Sequence, residues 1–151
     1  MSEVIYFDTS ALAKWYLNEA RSEEVESFIQ QRGPVDISDL TVVEMRSFLA
    51  RRRRENHIDS KTELKVFATF QEDIRHGFLR CHPLFDGIAT AAVNLISVLP
   101  KAPLKTLDAL HLAIAKEIQT DVLATADRVM ISAAATLGIE VARFDAPRRF
   151  R

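Results

Sequence analysis

Apolar and polar positions alternate along this chain in blocks whose period switches between that of a strand and that of a helix. Val4-Ile5-Tyr6-Phe7 is an unbroken apolar run that stops abruptly at Asp8-Thr9-Ser10, the pattern of a buried strand running straight into a helix. Leu12, Trp15 and Tyr16 then recur at helical spacing, so Thr9 or Ser10 is the expected cap of a short helix. After a break at 18–21, Ser22 is the expected cap of a second helix, with Glu23 and Glu24 in its first turn and Val25, Phe28 and Ile29 facing inward. Arg32-Gly33-Pro34 closes it, and the β-branched Val35-Asp36-Ile37-Ser38 predicts a second strand.

A long helical pattern begins near Asp39 with Leu40, Val43, Ser47 and Phe48 on one stripe, Glu44 beside that stripe, and Arg51-Arg52-Arg53-Arg54 at its end. Asp59-Ser60 caps a helix through Leu64, Phe67, Ala68 and Ile74 that ends at His76-Gly77. Phe78 to His82 predicts a third strand, stopped by Pro83. A small-residue helix over 86–99 is expected to pack through Ile88, Ala89, Ala92, Val93 and Ile96. Lys105 to Ala115 is apolar on nearly every side and predicts a helix at the centre of the fold, with Asp108 in its first turns. Asp121 to Thr125 is a fourth strand ending beside Asp127, the helix from Arg128 closes at Gly138, and Ile139-Glu140-Val141 is a fifth strand. Strands alternating with helices predict an α/β/α sandwich around a central parallel sheet of about five strands.

The 151 residues are expected to form a single domain, a size that buries about two-thirds of the unfolded surface in one core. No apolar run approaches the roughly 20 residues of a membrane span. No signal-peptide pattern follows the acidic start Met1-Ser2-Glu3, so a cytoplasmic location is expected. Cys81 is the sole cysteine, which excludes an intramolecular disulfide and suits a reducing compartment. As a nucleophile it would need a base, and the neighbouring His82 points to the other side of a strand. A formal net charge of −1 argues against coating nucleic acid by charge alone. It leaves room for local basic patches, 51–54 and the terminal Arg148, Arg149 and Arg151. Four successive helical arginines cannot face one partner, so the first run reads either as a solvated helix end or as a phosphate or partner contact.

The chemistry lies in carboxylates from separate segments. In a parallel α/β sheet all strands end at one rim, which brings Asp8, after the first strand, and Asp127, after the fourth, to the same side. Glu44, one turn into the helix after the second strand, and Asp108, at the start of the central helix, reach that rim too. Two carboxylates about 5 Å apart repel by roughly 3 kcal/mol at an effective dielectric near 20, and only Lys105 and Arg128 stand nearby to offset this. A hard divalent cation, Mg²⁺ or Mn²⁺, takes such oxygen ligands and leaves positions for phosphate oxygens. Zinc is disfavoured because the four histidines are scattered. His111, one turn from Asp108, reads either as a metal ligand or as a hydrogen-bonded core residue. Thr9, Ser10 and Thr125 either orient a carboxylate or cap helices.

Phe7-Asp8-Thr9-Ser10, Leu40 to Glu44, Leu107 to Ala113 and Leu123 to Asp127, taken together in this order, resemble the PIN-domain ribonucleases and in particular the VapC toxins of toxin-antitoxin pairs. The resemblance spans essentially the whole chain. It implies a Mg²⁺-dependent endoribonuclease whose acidic quartet is Asp8, Glu44, Asp108 and Asp127, with Thr125 a supporting hydroxyl. It also implies a homodimer and a cognate antitoxin whose tail covers the acidic groove. Lys105 stands where relatives often carry Arg, which keeps the charge. Two other readings compete. A phosphatase with an Asp nucleophile after its first strand wants a second Asp two positions on, where this chain has Ser10. A PIN-like scaffold that binds RNA or protein without turnover would have no reason to keep four mutually repelling acids.

Overall fold

The computed structural model describes residues 2–147; the terminal basic patch of Arg148, Arg149 and Arg151 lies outside them. In chain order the elements are β1 (Ile5–Phe7), α1 (Thr9–Tyr16), α2 (Ser22–Arg32), β2 (Val35–Ser38), α3 (Asp39–Arg54), α4 (Ser60–Arg75), β3 (Leu79–His82), α5 (Ile88–Val98), α6 (Thr106–Glu117), β4 (Val122–Thr125), α7 (Arg128–Thr136) and β5 (Glu140–Arg143). The strands form one sheet in the order β3-β2-β1-β4-β5, and every neighbouring pair is parallel. The expected parallel α/β/α architecture is therefore present.

The sheet starts at its middle strand, so the chain winds outward twice, first through β2 and β3 and later through β4 and β5. The reversal falls between β1 and β4, where Ile5, Tyr6 and Phe7 pair with Val122, Leu123 and Ala124. Ligands of open α/β sheets bind outside the strand ends at such a switch point. Side chains of β1 alternate across the sheet. Ile5 and Phe7 join a core with Leu12, Val25, Met45, Leu49 and Phe70, while Tyr6 joins a second core with Leu95, Leu112, Ile114, Leu123 and Met130.

Three helix faces differ from the sequence expectation. In α3 the buried positions are Thr41, Met45 and Leu49, and Val43 is 67% exposed. Phe48 lies at the edge, its ring covered by the guanidinium groups of Arg51 and Arg52 at 5.8 and 5.0 Å. In α4 Phe70 is the inward anchor and Leu64 points out. In α5 Ala92 and Leu95 face inward, leaving Ala89, Val93 and Ile96 as an outer apolar stripe.

Two caps also differ. Asp8, rather than Thr9 or Ser10, caps α1 by accepting from the Ala11 N–H. Ser22 is the first residue of α2, its hydroxyl spent on the Glu19 N–H and Leu17 carbonyl, and Arg21 takes the cap position in a left-handed conformation at φ 68°. Among the described residues no helix is long and apolar enough to cross a membrane.

Candidate active site

Asp8 is the last step of β1 and the start of α1. Its backbone N–H donates to Ala124 at 3.1 Å, which fixes it against the adjacent β4. Its carboxylate is 4% exposed. Oδ1 accepts from the Ser10 hydroxyl at 2.6 Å and the Ala11 N–H at 3.1 Å, and Oδ2 accepts from the Thr125 hydroxyl. Burial pushes this carboxyl above its usual range, partly offset by nearby His111 and by the three hydrogen bonds.

Thr125 joins this strand end to the next acid. Its Oγ1 accepts from the Asp127 N–H at 3.0 Å while its proton goes to Asp8. Ser10 makes a parallel link, accepting from the Ala126 N–H at 3.0 Å. Asp127 caps α7, its Oδ1 accepting from Val129 and Met130 at 2.8 and 3.3 Å. Asp108, the third residue of α6, reaches back to the residue before the helix instead, Oδ2 accepting from the Lys105 N–H at 2.9 Å. Burial holds the Asp108 carboxyl above its usual range against the opposing pull of that N–H, and the negative charge of Asp127 raises it further.

Glu44 faces this cluster from α3. Its Oε1 accepts from the Thr9 hydroxyl at 2.9 Å and from Nε2 of His111. Burial pushes its carboxyl up, but the hydrogen bonds from His111 and Thr9, with the charge of His111, outweigh this and leave it below the usual range. His111, 4% exposed, holds the Tyr6 phenol with Nδ1 at 2.7 Å. It is thus a hydrogen-bonded core residue, as one of the two sequence readings has it, and one of its two bonds goes to a site acid.

Cations in the neighbourhood are otherwise engaged. Arg128 pairs with Asp145 at 3.2 Å and leaves the acids alone. The arginine run splits: Arg52 pairs with Glu19 at 2.6 Å, Arg53 with Glu63 at 2.6 Å, and Arg51 lines an open groove of about 440 Å³ with Lys14, Phe48, Thr9, Ser10 and Glu44. Cys81 is remote from the cluster; burial and its bond to Asp39 push its thiol up to about 12, which leaves it unreactive near neutrality.

The donor set has the chemistry a hard divalent cation takes: carboxylate and hydroxyl oxygens, with two acids held up by burial and, at Asp108, by a like charge. Among the described residues Asp108 Oδ1, Asp127 Oδ2 and Glu44 Oε2 accept no hydrogen bond. Yet among the described residues no three His, Cys, Asp or Glu side chains stand together as a finished metal cage. The capping bonds explain why. Asp8, Asp108 and Asp127 are each turned onto the start of their own helix, and Glu44 is drawn toward Thr9 and His111. Two contributors were not identified from sequence: Tyr6, whose apolar run hid a phenol facing the second core, and Arg51, indistinguishable from its three neighbours without the groove.

Residues 5–137 match the model of the PIN domain family. The chain is a PIN-domain protein. Solved structures of similar fold include Mycobacterium tuberculosis VapC20, a toxin that cleaves the sarcin-ricin loop, at TM-score 0.68 and 17% identity over 85% of this chain and 94% of that one. FitAcB from Neisseria gonorrhoeae aligns at TM-score 0.67 and 19% identity, covering 91% and 96%. The toxin-antitoxin complex from Klebsiella pneumoniae aligns at 0.53 and 18%, covering 82% and 86%. No curated protein matches the chain at a significant level. This PIN domain therefore shares its fold with VapC and FitB toxins at low identity, and its family is one of nucleases.

Proposed function

We propose that this PIN domain is a metal-dependent endoribonuclease, one domain over residues 1–151, that hydrolyses RNA phosphodiester bonds in the cytoplasm as the toxin of a toxin-antitoxin pair. The observation that carries the reading is the buried Asp8 at the β1–β4 switch point, linked through Thr125 to Asp127, whose charge is felt at Asp108, while Glu44 is tied to the adjoining start of α1 through Thr9. Asp8, Asp108, Asp127 and Glu44 are the residues that would hold Mg²⁺ or Mn²⁺. Bound there, the ion would lower the pKa of an attacking water and offset charge developing on the phosphate. Thr125 and Ser10 hold the Asp8 carboxylate in place. Lys14 and Arg51, on the wall of the groove, offer cations for the RNA backbone, a role that positions without reading sequence.

An antitoxin whose tail fills the groove is the expected partner, supported by similarity to the Klebsiella toxin-antitoxin complex. The outer stripe of α5, with Val93 61% and Ile96 45% exposed, supports a homodimer. A non-catalytic scaffold draws support from one observation, the acids spent on helix starts rather than gathered.

Expressing the chain alone and beside its genomic neighbour separates these readings. Growth arrest with new RNA 5′ ends, relieved by the neighbour and abolished by Asp8→Asn, is the expected result. Arrest that survives Asp8→Asn, or no RNA cleavage in any arm, contradicts the nuclease.

A further inference from the structure

His111 sits among the buried residues of α6, between Ala109 and Leu112, yet both of its ring nitrogens are committed. Nδ1 lies 2.7 Å from the Tyr6 phenol, and Nε2 meets Glu44 Oε1. The Tyr6 oxygen lies 2.9 Å from the Ser38 hydroxyl, and the Ser38 N–H donates to Thr41 Oγ1 at 3.1 Å. An ionised Glu44 only accepts, so Nε2 carries a proton toward it. Nδ1 is joined to the Tyr6 phenol, and the phenol to Ser38, so the ring is held from behind while Nε2 donates to Glu44.

The far end of this chain shapes the rim. Oε1 of Glu44 receives two hydrogen bonds, from His111 and Thr9, while among the described residues Oε2 receives none and is left to the groove that Glu44 lines. A flexible carboxylate is thereby anchored by one oxygen and presents the other. A histidine serving only the core would need no acid of the site as its partner.

We propose that His111, held from behind by Tyr6, is the positioning residue that fixes the Glu44 carboxylate at the acidic rim through Nε2. What the fixed carboxylate is for rests on the endoribonuclease reading; the proton on Nε2 does not.

The test has two parts, both on the full chain. In ¹⁵N-histidine NMR spectra recorded without divalent metal, His111 should carry a proton on Nε2 in the parent and, since Glu44 still accepts it, in Tyr6→Phe as well. A bare Nε2 in the parent overturns the proposal. In calorimetric titration with Mn²⁺ alone, His111→Leu should bind about 10–100-fold more weakly, while His111→Gln, whose amide still donates to Glu44, should recover most of the affinity. Equal Mn²⁺ affinity in parent and His111→Leu also overturns it. The Nε2 proton is read on the parent without any variant, so the proposal stays falsifiable even if His111→Leu fails to fold. A parent that binds no Mn²⁺ refutes the metal-dependent reading instead, and His111 is then decided by its proton positions.

Discussion

At the scale of single residues, Asp8 does two jobs that pull against each other. It caps α1 through the Ala11 N–H, which stabilises the fold, and it keeps a buried negative charge whose carboxyl is pushed upward by desolvation, which costs stability. An acid with a folded pKa above its unfolded one binds more protons when folded, so stability falls as pH rises from the unfolded value through the folded one and stays lower above it. Asn caps a helix as well as Asp does. Asp8→Asn should therefore raise Tm at neutral pH without divalent cation, by about 2–4 °C for each kcal/mol recovered, and should flatten the loss of stability on the alkaline side of the carboxylate range. Thermal melts of both proteins from pH 4 to 8 check this; a lower Tm for Asp8→Asn at pH 7 would speak against the buried charge. The sequence placed Asp8 at the right strand end but gave the cap to Thr9 or Ser10, because isolated hydroxyls after a strand are good caps. In the fold those hydroxyls are spent on Glu44 and Asp8 instead. The Glu44–His111 bond spans 67 positions, a distance at which helical periodicity carries no information.

Among the elements, the edge of the sheet depends on one buried acid. Asp36 of β2 is 2% exposed. It accepts from the Ile5 N–H of β1 at 3.0 Å, from Arg80 at 3.0 and 2.9 Å, and from His82 of β3 at 2.8 Å. Replacing it with Ala leaves the buried Ile5 N–H without its acceptor, while Arg80 keeps the Glu3 and Pro34 carbonyls, so Asp36→Ala should cost about 1–3 kcal/mol, measured by urea unfolding. A loss below 1 kcal/mol would mean the β2–β3 pairing stands without it. The elements themselves were legible because strand and helix periods differ so sharply, and their buried faces less so. The stripe of α5 was misplaced because a helix of small apolar residues has little contrast between sides. That of α3 was misplaced because its arginine stems and Phe48 cover one another at the edge, leaving Met45 and Leu49 as the true anchors.

For the whole molecule, alternation of strands and helices dictated a parallel sheet, and the rim shared by Asp8 and Asp127 follows from that topology. The strand order β3-β2-β1-β4-β5 did not follow, since periodicity says nothing of which strands are neighbours. Nor did periodicity show that three of the acids are engaged at helix starts. If the proposed homodimer uses the outer stripe of α5, Ile96→Asp should shift sedimentation from dimer to monomer without lowering Tm by more than about 4 °C, and an unchanged sedimentation coefficient would remove α5 from the interface. In the proposed function the acids at the β1–β4 switch point cut RNA with a divalent ion. The most direct measurement is cleavage of a single-stranded RNA pool by purified protein after chelation and Mg²⁺ or Mn²⁺ add-back, with Asp108→Asn alongside. The expected result is cutting by the parent that is lost on chelation and restored by either ion, and a fall of at least about 100-fold in Asp108→Asn, on the order of 2.7 kcal/mol of transition-state stabilisation. Cleavage by Asp108→Asn at the parent rate, or cleavage indifferent to the ion, would contradict it.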